Sequence, residues 1–203
     1  MTKPIPTSSI NEDLISVIEE SLTTMGGNDE SYTEFISFLN KHKMLSRPKR
    51  LFTGQMLFFK YLPTNERFIK SGKYYDMYPL ILITDSYRGG FEGINLHYLD
   101  PETRSLLFDN MIKNFPLIGT DGRLPRINLN YNALSSRRPL RMFKPCYKKY
   151  RWDGIQKQPI SVPFVFWKTI VEQDLGFFRK KRKANIYLES WSIIRKPPTT
   201  KGS

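Results

Sequence analysis

Residues 79–99, PLILITDSYRGGFEGINLHYL, decide the fold. The first six form a continuous apolar run, which is the mark of a buried strand. Arg88-Gly89-Gly90 reads as a turn, and residues 91–99 read as a second strand. So short a connection predicts an antiparallel pair. Gly93, inside the second strand, marks a bulge or a close approach of backbone. Asp100-Pro101 then has the form of an N-cap with proline at the first helical position. The helix predicted there carries Leu106, Leu107, Met111 and Phe115.

Upstream of the hairpin, residues 55–62 (QMLFFKYL) are rich in strand formers, and residues 63–72 form a polar loop. Further upstream, residues 9–24 and 31–43 predict two amphipathic helices. Each opens on a capping box, Ser9 with Glu12 and Ser31 with Glu34. Downstream, residues 116–126 read as a loop and 127–135 as a short helix, and Pro163 starts a helix over 164–173. Residues 185–194 (NIYLESWSII) predict a last strand that returns to the central hairpin. The expected fold class is α+β: a small twisted antiparallel sheet, open or curled into a partly closed barrel, flanked by helices and preceded by a helical hairpin. The expected division is an acidic helical region at 1–48, a single α+β domain at 49–195 and a loose tail at 196–203.

Charge divides the chain differently. Of 203 residues, 32 are Lys or Arg and 19 are Asp or Glu, a formal net charge of +13. Residues 1–100 hold 11 basic and 12 acidic residues, and residues 101–203 hold 21 and 7. The whole surplus lies in the second half. One cluster comprises Arg137, Arg138, Arg141, Lys144, Lys148, Lys149 and Arg151, with Phe143, Tyr147 and Tyr150 interleaved and Trp152 following. A second is Arg179-Lys180-Lys181-Arg182-Lys183, directly after Phe177-Phe178. Like charges this close repel, and a polyanion relieves the repulsion. Pro139 and Pro145 argue against the long basic amphipathic helix that an anionic membrane surface prefers. No run of 18 apolar residues is present, and the N-terminus lacks an apolar signal core, so neither a spanning helix nor export is expected.

Composition offers little catalytic chemistry. The 14 Phe, 11 Tyr and 3 Trp predict a foldable core. One cysteine, Cys146, forms no internal bridge and suits a reducing compartment. The two histidines, His42 and His97, give no zinc spacing, and His97 reads as a structural hydrogen-bonding residue in a strand. Neither a phosphate-binding loop nor a dinucleotide fingerprint occurs, so no cofactor is expected. Metal-dependent DNA cleavage needs converging carboxylates. Asp76, Glu92 and Asp100 lie on different predicted elements, and Asp76 reads as a turn or cap residue. A non-enzymatic role is expected.

Residues 54–110 carry GQMLFFKYLP, KYYDMYPLILI and GGFEGINLHYLDPETRSLLFDNM. This pattern resembles a family of small virion-associated proteins of T-even-like tailed phages. Its DNA-end-protecting members are nearest, and baseplate or tail-assembly proteins come next. A looser likeness extends to residues 144–150 (KPCYKKY) and the Trp167 region, while Lys73 stands where the pattern has proline. The resemblance implies a virion protein, also present in the host cytoplasm, that sits on the ends of packaged double-stranded DNA and blocks host exonuclease. Portal, neck or tail proteins would be its protein partners. It implies structural roles for Tyr74, Tyr75, Asp76, Pro79, Gly90, Gly93, Asn95 and Tyr98. Lys or Arg contacts to phosphate would come from the two basic clusters, and Tyr150 and Trp152 are candidates to stack on a terminal base pair. The rival expectation is a structural component of neck, tail or baseplate that sets its basic face against acidic protein.

Overall fold

The computed structural model describes Thr33, Ile36, Ser37, Lys41 and residues 51–114, 117–118, 126–127, 142–173 and 176–195. The expected helix at 9–24, the loose tail and both capping boxes lie outside these residues. The four described positions within 31–43 are placed so that Thr33, Ile36, Ser37 and Lys41 are all helical.

The predicted hairpin forms. Strand β3 (Leu80–Tyr87) pairs antiparallel with β4 (Gly90–Asn95), from Ile81 opposite Asn95 to Tyr87 opposite Gly90, with a register shift between Ile83 and Asp85. Gly93 faces that irregularity. A Cβ there would stand 2.6 Å from the Leu82 carbonyl oxygen, so glycine is needed for space rather than for its backbone angles. Strand β1 (Met56–Phe58) lies on the other side of β3. Two further strands complete an antiparallel sheet of five in the order β7-β4-β3-β1-β8: β7 (Tyr147–Arg151) and β8 (Ile160–Ser161). Short ladders join β2 (Tyr75–Asp76) to β9 (Phe178–Arg179) and β5 (Leu117–Ile118) to β6 (Arg126–Ile127).

Side chains alternate across this sheet, as the two-residue strand period requires. Leu57, Phe59, Ile81, Ile83, Phe91 and Tyr150 gather on one face. Met56, Phe58, Leu80, Leu82 and Ile94 point to the other. That second face is covered by α2 (Pro101–Asn114), α3 (Trp167–Glu172) and α4 (Lys183–Arg195), through residues such as Phe108, Met111, Trp167, Ile170 and Ile186. A short α1 (Glu66–Lys70) caps the loop before β2. Arg104 is fully buried on α2, and its guanidinium donates to the carbonyls of Gln173 at 2.6 Å and Leu99 at 3.0 Å, fastening α2 to the end of α3. Cys146 is also fully buried, and burial pushes its thiol up to about 12.

The protein is therefore α+β. The sheet curls: the chain leaving β7 crosses at once to the far side, where Leu62 N–H donates to the Gly154 carbonyl and Gln156 N–H to the Lys60 carbonyl. Among the described residues no ladder joins β7 to β8, so the barrel stays open.

Four expectations need correction. The polar loop expected at 63–72 contains helix α1, which starts because the Asn65 side chain accepts the N–H groups of Arg67 and Phe68. Residues 185–194 form not a strand but most of helix α4, because Ile186, Ser190 and Ile194 recur every four residues and turn one stripe toward the core. The outer sheet positions go instead to β7, inside the basic cluster, and to β8. The second hairpin strand ends at Asn95. The Asn95 side chain accepts the His97 N–H and starts a 3-10 turn over Leu96–Tyr98, which takes His97 out of the ladder. The loop expected at 116–126 contains β5 and the first residue of β6, and Ile127 of the expected helix is a strand residue.

Candidate nucleic-acid interface

Beneath the surface lies a buried polar knot. Asp76, on β2, is buried and surrounded by donors. Its Oδ1 accepts the backbone N–H of Tyr78 at 3.0 Å and of Phe177 at 3.3 Å. Its Oδ2 faces Asn95 Nδ2 at 3.0 Å and His97 Nδ1 at 2.8 Å. With a carboxylate there, Nδ1 is the protonated nitrogen. Asn95 Nδ2 also donates to the Tyr150 hydroxyl at 2.9 Å. Burial, with Arg104 and Lys183 nearby, holds the imidazole of His97 below its ordinary pKa despite the pull of Asp76. The knot binds β2, β4, β7 and the approach to β9 together. Asp76, Asn95 and His97 thus act on structure.

Tyr98, next to His97 in the chain, is buried beside the knot, and the basic side chains lie over it. Its ring packs edge-on against Phe178 at 5.1 Å and lies 6.0 Å from the ring of Tyr74. Lys148 of β7 holds its ammonium 3.9 Å from the centre of the Tyr98 ring. Lys181, in the turn between β9 and α4, sits 4.7 Å from the Tyr74 ring and pairs with Glu189 of α4. The Tyr74 hydroxyl donates to the same carboxylate at 2.7 Å. Two basic clusters far apart in sequence therefore meet over one pair of tyrosines, where ring quadrupoles favour cations. Burial lowers the Lys148 pKa, so its charge is dear to keep there.

The remaining candidates divide by partner. Lys149 pairs with Glu92, which also accepts the Tyr147 hydroxyl. Burial would raise the Glu92 carboxyl, but those two donors hold it below the usual range. Arg151 is exposed and gripped at both ends by Asp153, Nε to Oδ1 at 3.1 Å and Nη2 to Oδ2 at 2.6 Å. Arg179 lies 5.7 Å from the Phe177 ring. Lys180 donates to the Ile69 carbonyl at 3.1 Å, at the C-terminus of α1, where the helix dipole welcomes a cation. Its backbone is left-handed, φ 71°, which is unusual for lysine. Lys144 and Arg182 are exposed, and Lys183 is half-buried at the start of α4. Arg137, Arg138 and Arg141 lie outside the described residues.

Of the two aromatics nominated for stacking, Tyr150 is ruled out. It is buried in the inner face of the sheet, 5.0 Å from the Tyr61 ring and 5.3 Å from Phe59. Trp152 remains exposed. Phe143 is core, and Tyr147 is half-buried. Tyr74 and Tyr98 could not be read as cation seats from local sequence, because Lys181 and Lys148 reach them only through the fold.

The three central carboxylates do not converge. Asp76 is saturated within the knot, Glu92 is held by Lys149 and Tyr147, and Asp100 caps α2 by accepting the Thr103 N–H at 2.9 Å and the Trp191 Nε1–H at 3.1 Å. Among the described residues no three His, Cys, Asp or Glu side chains are grouped as metal ligands. No described helix is long and apolar enough to cross a membrane. Comparison of the chain with protein-family models, curated proteins and solved structures finds no match.

Proposed function

We propose that the protein is a non-enzymatic component of a tailed-phage particle that binds the ends of packaged double-stranded DNA and shields them from host exonuclease. The observation that carries the nucleic-acid part is the meeting of both basic clusters, through Lys148 and Lys181, over Tyr98 and Tyr74. A polyanion spanning that face gains from both at once. The phage part rests on the resemblance of residues 54–110, whose Asp76 and Asn95 build the knot beneath the face. Backbone neutralisation of this kind has little sequence preference and weakens with salt. Six to eight phosphate contacts give a slope of log K against log salt of roughly −5 to −7.

Gel-shift titration with blunt linear and closed circular DNA of one sequence tests the reading. Preference for the linear form at moderate salt, with protection from an added exonuclease, is expected. Replacing Arg137, Arg138 and Arg141 by Glu should abolish protection while the melting curve stays put. Absence of any DNA binding at low salt would reject the proposal.

One observation favours a second reading, a neck, tail or baseplate component whose basic face meets acidic protein. Lys149, Arg151 and Lys181 already pair with the carboxylates of Glu92, Asp153 and Glu189. Carboxylates on a neighbouring subunit would fit the same seats.

A further inference from the structure

At the far end of β7 from Lys148, the sheet leaves two large aromatic rings in solvent: Tyr87 is 41% exposed and Trp152 40%. They stand beside the tip of the β3–β4 hairpin, whose turn is Arg88-Gly89. Trp152 N–H donates to the Gly89 carbonyl at 3.1 Å, and the indole leans on buried Phe91 at 4.9 Å. Phe91 in turn stacks on Tyr150 at 5.7 Å, so the indole rests on core rather than on a loop. The Tyr87 hydroxyl reaches across Gly90 to the Tyr150 carbonyl at 3.3 Å. Glycine at 89 leaves the Tyr87 ring uncovered, since a Cβ there would stand 3.3 Å from it. Arg88 is exposed there, and Arg151 is fixed by Asp153. A single exposed ring needs no explanation, but two held rings with two guanidinium groups at one sheet end form a surface of definite chemistry.

We infer that this end of the sheet, with Trp152 as the stacking ring and Arg88 and Arg151 as phosphate contacts, takes the uncovered face of a nucleobase at a DNA terminus. The inference rests on the nucleic-acid reading above and adds to it the element that tells an end from an interior. Every base offers a flat π-face, so such a seat is tolerant of sequence. In an intact duplex those faces are covered by neighbouring pairs, and only the last pair or an unpaired base presents one. Trp152 lies about 13 Å along the strand direction from Lys148, at about 3.3 Å per residue. A terminus seated on Trp152 can therefore send its backbone toward the cations around Tyr98 and Tyr74.

The test is tryptophan fluorescence of the full chain with three probes: a short blunt duplex, a closed circular duplex and a single-stranded oligonucleotide. Stacking quenches the exposed indole of Trp152, Trp167 is buried and silent to the probe, and the signal of half-buried Trp191 is subtracted by repeating each titration with Trp152→Phe. Quenching by the blunt duplex and not by the closed circle supports the inference. Quenching by the oligonucleotide as well identifies an unpaired base as an equal source of the face. Trp152→Ala should lower affinity for the blunt duplex about tenfold and leave the circle unchanged, with Trp152→Phe restoring most of it. Equal quenching by circle and blunt duplex, or a Trp152→Ala variant whose preference for ends persists, overturns the platform while leaving general DNA binding standing. A wild-type chain that binds none of the three probes overturns both.

Discussion

The knot around Asp76 and the basic face carried by Lys148 and Lys181 are neighbours built on opposite terms. In the knot, one carboxylate meets four donors from four places in the chain, and only the other ring nitrogen of His97, buried, finds no partner among the described residues. On the surface, lysines rest on rings and on single carboxylates that a stronger anion can replace. Buried polar groups are costly to leave unpaired, whereas exposed ion pairs contribute little. One region fixes shape, and the other holds half-buried cations on contacts that can be exchanged.

That contrast can be broken most directly at Asp76. Asp76→Ala strands the donors of His97, Asn95, Tyr78 and Phe177 in the interior and should cost about 4 kcal/mol or more in a urea titration. A cost below about 1 kcal/mol would make the knot incidental. Gly90→Ala comes next. Its Cβ would strike the Tyr150 carbonyl and approach the Tyr87 hydroxyl, so β4 and β7 must part. A loss of about 1–3 kcal/mol is expected.

His97 sharpens the comparison through pH. The unfolded chain takes up a proton on this residue near about pH 6.5. The folded chain resists it, since its imidazole pKa is lowered by burial. Stability should therefore fall as pH drops below that value, by up to about 1.4 kcal/mol per unit, and the decline should flatten in His97→Gln. An unchanged profile in that variant would assign the acid sensitivity elsewhere. The smallest effect on stability belongs to Lys181, half-buried between Tyr74 and Glu189: Lys181→Gln should lower it by about 1 kcal/mol or less. The same substitution should make the salt slope of DNA binding shallower by roughly one. Lost stability without a changed slope would move Lys181 from the interface to the scaffold.

The central hairpin was legible because its apolar run, its glycine turn and its N-cap agree with one another. The α4 segment misled because Ile, Tyr and Trp favour strands, and because one rung of its inward stripe is Ser190, which hydrophobicity alone does not reveal. Strand β7 hid behind its own lysines. On a sheet edge such charges are normal, since they discourage pairing with a further chain. The basic clusters were visible as composition, but their meeting was not. It depends on β9 pairing with β2 and β7 with β4, contacts that no local window contains. The knot was legible only in part, in the turn or cap role expected of Asp76 and the structural hydrogen bond expected of His97; its bonds join positions such as Asp76 and Phe177 that folding alone makes neighbours.

Cys146 has a practical corollary. Its thiol is sealed in the interior and resists ionisation. A maleimide dye should pass it by in the native protein and react instead with a cysteine introduced at an open position such as Lys144. The chain thus comes ready for single-site labelling, and distances from that dye to a fluorescent DNA terminus can be measured without first deleting a native thiol.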